Sequence, residues 1–384
     1  MRIVEAKIYL LSIPFNESFG HSLKTRSCSD SIVVECTTET GICGFGEGVA
    51  RPYVTGETVE TSTHRIRNRI LPRVMHRDIG ETNATGNPCG SLSHISEMLR
   101  DRPGPSVIAW HAAEAGVELA VIDCLLKSQG VSLGTLLPAR KRTVLYSGII
   151  STSSMEGTIG LAQRCRKMAV KHVKMKVGEG NDRDRIAAVR DILGPSVSLR
   201  LDANGAFSGR EAVEFTRTVK DLDIEVIEQP VKRADSNDLA AVREASEIPV
   251  MADESLVTID DARKLIADRA CDYFNLRIAK CGGLCNTLAI ADLALREEIK
   301  IQIGCMVGET AILSAAGRHL AAFLPEAVFV EGSYGTHLLT EDVARESVAF
   351  KFRGEGPVLT GDGLGVTVKE ETLERYSTEV LRVT

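Results

Sequence analysis

Apolar and polar positions along the chain follow two regimes. From Ile3 to Leu11 the residues alternate and are rich in β-formers. After a polar stretch a second strand is predicted over Ser31 to Cys36, with a turn from Thr38 to Gly41 leading into a third over Ile42 to Glu47. From Val59 to Gly130 the spacing turns helical, and Ala112, Ala115, Leu119, Ile122 and Leu126 fall on one face. The opening portion reads as a small antiparallel sheet with helices, an α+β unit.

Beyond Leu136 the texture changes. Strand-like runs recur roughly every 25 residues with amphipathic helical segments between them. They are predicted over Val144–Tyr146, Val173–Val177, Leu199–Asp202, Val226–Glu228, Val250–Asp253, Tyr273–Leu276, Ile301–Ile303 and Val328–Val330. Eight such units match a closed parallel (β/α) barrel better than a doubly wound sheet. The expected architecture is α/β: a capping domain over 1–130, a (β/α) barrel of modified TIM type over 131–350, and a terminal segment, 351–384, that packs back on the cap.

Composition narrows the function. A net charge of −6 gives no footprint for a polyanion, so nucleic acid is excluded as the main partner. No apolar run approaches the roughly 20 residues needed to span a bilayer, and the start reads as a strand rather than a signal peptide. A soluble, cytoplasmic protein acting on a small molecule is expected. The ten cysteines contain no Cys-x-x-Cys pair and read as reduced, mostly buried thiols.

In such barrels the reactive groups come from the carboxyl ends of strands. The second predicted strand ends Lys174-Met175-Lys176, and period-two alternation turns both ammonium groups to one side. The third ends Asp202-Ala203-Asn204, the fourth at Glu228 in Glu228-Gln229-Pro230, and the fifth at Asp253 in Asp253-Glu254-Ser255. The sixth runs into Lys280, in Lys280-Cys281-Gly282-Gly283. Asp202, Glu228 and Asp253 on consecutive strands would repel one another unless they shared a hard cation such as Mg²⁺. Such a cation can hold a substrate carboxylate and stabilise the enediolate formed when the neighbouring carbon loses a proton. Lys176 and Lys280, four strands apart, would face each other across the pocket, one removing a proton and the other returning it. Alternation turns Glu254 away from the mouth. Glu309, after the seventh strand, either touches the site or caps the next helix, and Glu331 ends the eighth.

Together these motifs resemble the muconate lactonizing subgroup of the enolase superfamily, within the mandelate racemase/muconate lactonizing enzyme family, over nearly the whole chain. The resemblance implies Asp202, Glu228 and Asp253 as ligands of Mg²⁺, with Mn²⁺ as an alternative. It further implies Lys176 and Lys280 as the acid/base pair, Lys174 as an electrostatic helper, and Asn204 behind the ligands. It also implies a symmetric homo-oligomer and a cap whose loops select a small carboxylate substrate. His21, Lys24 and Arg26 lie on one such loop, and Arg51 and Tyr53 on the other. The chemistry expected first is racemisation or epimerisation of an amino-acid derivative or dipeptide. Cycloisomerisation of a muconate-like diacid, or water loss of the o-succinylbenzoate synthase kind, is the alternative, with a non-catalytic barrel the remote one. Dipeptide epimerases of the subgroup carry Asp-x-Asp after the eighth strand; Glu331-Gly332-Ser333 departs from this and counts against a free α-amino group.

Overall fold

The computed structural model describes the chain except residues 22–23, 81–87, 102, 104–106, 153 and 234–235, and the side chains of 18–21, 24–25, 88–89 and 236. The cap holds β1 (Ile3–Leu11), β2 (Pro14–His21), β3 (Lys24–Cys28), β4 (Ile32–Thr38) and β5 (Cys43–Gly48), then α1 (Val59–Arg65), α2 (Pro88–Leu99) and α3 (His111–Ser128). The short α4 (Leu133–Leu136) and β6 (Thr143–Leu145) lead to the barrel. Its strands are β7 (Gly148–Ile150), β8 (His172–Lys176), β9 (Ser198–Asp202), β10 (Ile224–Glu228), β11 (Val250–Ala252), β12 (Tyr273–Leu276), β13 (Lys300–Ile303) and β14 (Ala327–Val330). Between them run α5 (Met155–Lys167), α6 (Asp182–Leu193), α7 (Gly209–Val219), α8 (Ser236–Ala245), α9 (Ile259–Ala267), α10 (Ile278–Cys281), α11 (Leu284–Arg296) and α12 (Ala311–Phe323). The chain ends with β15 (Glu355–Pro357), α13 (Glu370–Tyr376) and β16 (Ser377–Val383).

The eight strands β7 to β14 form one parallel sheet in sequence order. Its two edges meet through a bond of 2.8 Å from Ser147 N to Val330 O. The first barrel strand is therefore Gly148–Ile150, a correction to the Val144–Tyr146 expected from the sequence. That earlier run pairs antiparallel with β15 outside the barrel. Glycine opens the true strand because a Cβ at Gly148 would lie 2.6 Å from Cys165 Sγ of α5, and the lost side chain weakens the strand signal. The polar stretch after β1 also holds a hairpin, β2 with β3, that the pattern did not announce.

Alternation fills the barrel in layers. At the base Val226, Met251, Tyr273 and Phe329 form a buried apolar cluster, with the Arg200 guanidinium 4.3 Å above the Phe329 ring. Two residues further along each strand, the inward positions become Glu228, Asp253, Asn275 and Glu331. The same periodicity that builds the core therefore delivers the charged groups to one end.

The cap is tied to the barrel by buried carboxylates placed on helix N-termini, where free N–H groups need acceptors. Glu47 of β5 accepts from Thr310 N, Thr310 Oγ1 and Leu313 N at the start of α12, at 2.8 to 3.0 Å. Asp123 of α3 accepts from Phe45 N and Leu364 N at 2.8 Å, linking cap and terminal segment. The segment finishes as β16, antiparallel to β1 in the sheet β16-β1-β4-β5. Strand β5 lies almost backbone to backbone on α3. A Cβ at Gly46 would collide with Gly116 O and Ala120 N. Gly46→Ala is expected to cost about 1–3 kcal/mol through overpacking, read as a lowered urea midpoint; an unchanged midpoint would refute the tight contact.

His319, on α12, is buried with Nε2 3.2 Å from Leu364 O. Burial pushes its pKa down to about 4 from 6.5. The unfolded chain thus holds an extra proton between those values, and stability falls as pH drops from 6.5 towards 4. His319→Gln is expected to flatten that part of the stability profile, and parallel profiles for the two proteins would rule the contribution out. Among the described residues no helix is long and apolar enough to cross a membrane, and nine cysteines are free thiols.

Candidate active site

The ladder sets Lys176, Asp202 and Glu228 side by side at the ends of β8, β9 and β10. Asp253 follows the last residue of β11 and Arg277 the last residue of β12. Lys176 Nζ lies 2.6 Å from Asp202 Oδ2 and 2.7 Å from Asn204 Oδ1. Lys174 Nζ sits deeper, 2.7 Å from Glu331 Oε2, 3.0 Å from Asp202 Oδ2 and 3.3 Å from Glu228 Oε2. Glu228 also accepts from Asn275 Nδ2 at 2.7 Å and Gln302 Nε2 at 3.3 Å. Arg200 Nη1 approaches Glu331 Oε1 at 3.1 Å.

These charges set one another's protonation. Burial opposes the charged form of Lys174, yet Glu228, Glu331 and Asp202 outweigh it and hold the ammonium well above its ordinary value. Burial likewise opposes ionisation of Asp202, but Lys176 and Lys174 keep its carboxyl below the usual range. Glu331 is held low in the same way by Lys174 and Arg200. Burial, with the Asp202 charge nearby, raises Glu254.

The expectations for Glu254, Arg26 and Arg51 need correction. Lys280 joins the cluster and is fully buried, as Asp202, Glu228 and Asp253 are, with Nζ bound to Asp253 O and Oδ1 at 2.8 Å and Asn275 O at 2.7 Å. Burial pushes its pKa down to about 7, but all three protons face protein oxygens. The residue lies in the short helix α10, beyond the strand, where alternation no longer applies. Glu254, for the same reason, turns toward the site and accepts from Asn204 Nδ2 at 3.0 Å. Arg51 and Arg26 are committed to protein partners, Arg51 in both cap and barrel. Arg51 bonds Asp30 Oδ1 and Val307 O at 2.7 Å, and Arg26 pairs with Asp30. Glu309 caps the loop before α12, accepting from Met306 N and Ser314 Oγ at 2.8 Å, and burial pushes its carboxyl up to about 8. Tyr53 packs against the Val54, Ala109 and Val257 cluster. The side chains of His21 and Lys24 lie outside the described residues.

Two residues that contact the cluster were not singled out from the sequence. Arg277 pairs with Asp253 Oδ2 and stands 3.8 Å from Glu228 Oε1. Gln229, at φ +40°, accepts from Asp253 N at 2.9 Å and Ser255 N at 3.0 Å, fixing the turn that presents Asp253. Their signals were a cation directly at the end of the sixth strand and the amide after Glu228.

Among the described residues no three His, Cys, Asp or Glu side chains are drawn together as a finished metal cage. Lys174, Lys176 and Arg277 stand between the carboxylates instead. The donor set nonetheless fits a hard cation. Asp202, Glu228 and Asp253 are fully buried oxygen donors on successive strands; Glu254 Oε2 has no hydrogen-bond partner, and Asp253 Oδ2 meets the Arg277 guanidinium. A cavity of about 550 Å³ is lined by Ile149, Leu161, Met168, Met306, Leu338 and Phe350 among others, and by none of the clustered charges. Cys305, Met306 and Glu309 border both it and the recess that holds Arg277.

A carboxylate-and-lysine cluster at the carboxyl ends of an eight-stranded parallel barrel, under an α+β cap, defines an enolase-type enzyme. The chain belongs to the mandelate racemase/muconate lactonizing enzyme family: residues 4–138 match that family's N-terminal domain and residues 159–372 the enolase C-terminal domain-like family. It is similar to the N-succinyl-L-Arg/Lys racemase of Bacillus cereus, 29% identical over 383 residues and 98% of each chain. The crystal structure of the B. cereus N-succinyl Arg/Lys racemase superposes with a TM-score of 0.90 over 100% of both chains, at 27% identity. The hydrophobic dipeptide epimerase of Enterococcus faecalis is 31% identical over 84% of this chain and 87% of its own. A dipeptide epimerase from E. faecalis has been solved with Mg and the dipeptide L-Leu-L-Tyr, with a TM-score of 0.84 over 96% of this chain and 100% of that one, at 28% identity. The muconate lactonizing enzyme of Pseudomonas fluorescens superposes at 0.87 over 98% and 99%, at 25% identity. The chain is an isomerase-class enzyme of the enolase superfamily.

Proposed function

We propose that the protein removes the proton next to the carboxylate of an N-acylated amino acid and racemises that centre, with Mg²⁺ held by Asp202, Glu228 and Asp253. The observation that carries this reading is the carboxyl-end cluster itself: three buried carboxylates on successive strands, with Lys176 beside them and 14% exposed at the mouth. Bound Mg²⁺ supplies charge neutralisation for the substrate carboxylate as a second negative charge develops on it. Lys176 is the base; it gives up a proton to solvent, releases Asp202 and Asn204, and takes the substrate proton on the neutral amine. Lys174, held charged by three carboxylates, stabilises developing anion and transfers no proton.

Glu331 supports an acylated nitrogen over a free one. Both its oxygens face cations of the protein, Lys174 and Arg200, so it has no unspent charge for a substrate ammonium. The cavity beside Met306 and Leu338 gives an acyl group or long side chain an apolar place to lie. Cycloisomerisation or water loss remains the second reading, favoured by Lys280 placing all three of its hydrogen bonds on Asp253 and Asn275.

The test is NMR-detected α-proton exchange in D₂O with Mg²⁺, across N-succinyl and N-acetyl amino acids, free dipeptides and muconate-like diacids. Exchange confined to acylated amino acids is expected. Turnover of diacids alone would replace this reading with the second.

A further inference from the structure

Arg51, Arg185, Arg200 and Arg318 are among the largest side chains that the fold buries completely. Three of them carry a carboxylate: Asp30 lies 2.7 Å from Arg51, Asp182 2.7 Å from Arg185 and Glu331 3.1 Å from Arg200. Arg318, on α12, forms no ion pair among the described residues. Its Nε donates to the Tyr146 hydroxyl at 3.0 Å, its Nη1 to Pro357 O at 3.4 Å and its Nη2 to Val348 O, and the guanidinium stands 5.2 Å from the centre of the Tyr146 ring. All of these partners are neutral. They engage three of the guanidinium's five N–H groups and leave its charge uncompensated, a costly state for a buried cation.

Arg318 also lines a cavity of about 270 Å³ that is bounded by α4, α12 and the terminal segment. The hydroxyl residues Ser132, Thr135 and Thr360 line it too, with His319 and Leu359. Ser132 Oγ accepts from Gly134 N at 3.1 Å, so its own hydrogen remains to donate. Gly356 lets the terminal segment close over the guanidinium, where a Cβ would fall 2.8 Å from Arg318 Nη2. This cavity is separate from the reaction centre. None of its lining residues belongs to the carboxyl-end cluster, and Arg318 lies eight residues past Thr310, about 12 Å along α12 at 1.5 Å per residue.

We propose that the cavity is a binding site for a small phosphate-class oxyanion, which supplies the counter-charge that Arg318 lacks and fastens the terminal segment to α12. The donors suit such a ligand: a guanidinium with two N–H groups to spare, and hydroxyls that can turn their hydrogens inward. The anion takes no part in the chemistry at the mouth, so the site stands or falls independently of the reaction proposed above.

The experiment follows thermal unfolding without Mg²⁺ in inorganic phosphate against chloride at matched ionic strength, together with calorimetric titration of phosphate. Wild type is expected to show a melting temperature that rises with phosphate in the saturating manner of a bound ligand. Arg318→Met is expected to weaken phosphate binding about tenfold or more, since it removes the charge-assisted donors. It should lose the saturating rise and keep only the unsaturated one that phosphate gives through exclusion from protein surfaces. Phosphate drawn to the cations of the mouth is told apart because Arg318→Met leaves those in place. Thr360→Asp, which sets a carboxylate of the chain itself in the cavity, is expected to melt higher than wild type without phosphate and to lose the saturating response; it decides the matter if Arg318→Met does not fold. A phosphate response that never saturates in wild type, or one that is the same in wild type and either folded variant, would overturn the proposal.

Discussion

Lys176→Ala is expected to lower α-proton exchange by about 10²–10⁴-fold, the range a positioned general base supplies, while the protein stays folded. The two halves of that expectation have separate causes. Catalysis is lost because no other ammonium stands at that position: Lys174 is spent on Glu331, Asp202 and Glu228, and Lys280 follows β12, bound to Asp253 and Asn275. Folding survives because Asp202 keeps Lys174 at 3.0 Å, so deleting Lys176 leaves no buried carboxylate without a cation. The pair of measurements is exchange by NMR and unfolding by circular dichroism. Exchange within a factor of about three of wild type would remove Lys176 from the base role, since even the low end of the general-base effect is larger.

The inner wall of the barrel was legible because a strand repeats every two residues and a buried strand tolerates few exceptions. Lys174 and Lys176, Asp202, Glu228 and Asp253 all lie where that period puts them. It fails one step beyond the strands. Glu254 is misassigned by extending alternation into a turn, where side-chain direction follows φ/ψ values that no spacing reveals; Gln229 and Asn204, at φ +40° and +45°, mark where the backbone departs from the strand. Arg277 was overlooked because the motif that carries the resemblance, Lys280-Cys281-Gly282-Gly283, begins three residues later. The loop residues Arg26 and Arg51 show the converse. Their place on cap loops suggested substrate contact, but Asp30 and, from far along the chain, the Val307 carbonyl consume their charge. Long-range partners of this kind leave no trace in local pattern.

Lys174→Ala is expected to be the most destabilising single change in the site, by about 3–5 kcal/mol, because it removes one member of a buried charge network and leaves the others uncompensated. Three carboxylates, those of Glu331, Asp202 and Glu228, share this one ammonium. Lys176 can still serve Asp202 and Arg200 can still serve Glu331, so the exposed deficit falls on Glu228, which keeps only the neutral amides of Asn275 and Gln302 and the more distant Arg277 at 3.8 Å. A cation bound at Glu228 would relieve that deficit. Added Mg²⁺ is therefore expected to raise the melting temperature of Lys174→Ala by more than it raises that of wild type. Lys174→Ala combined with Glu228→Gln should recover part of the lost stability without Mg²⁺ and lose the extra response to it. Equal shifts on adding Mg²⁺ to wild type and Lys174→Ala would show that Glu228 takes no part in holding the ion.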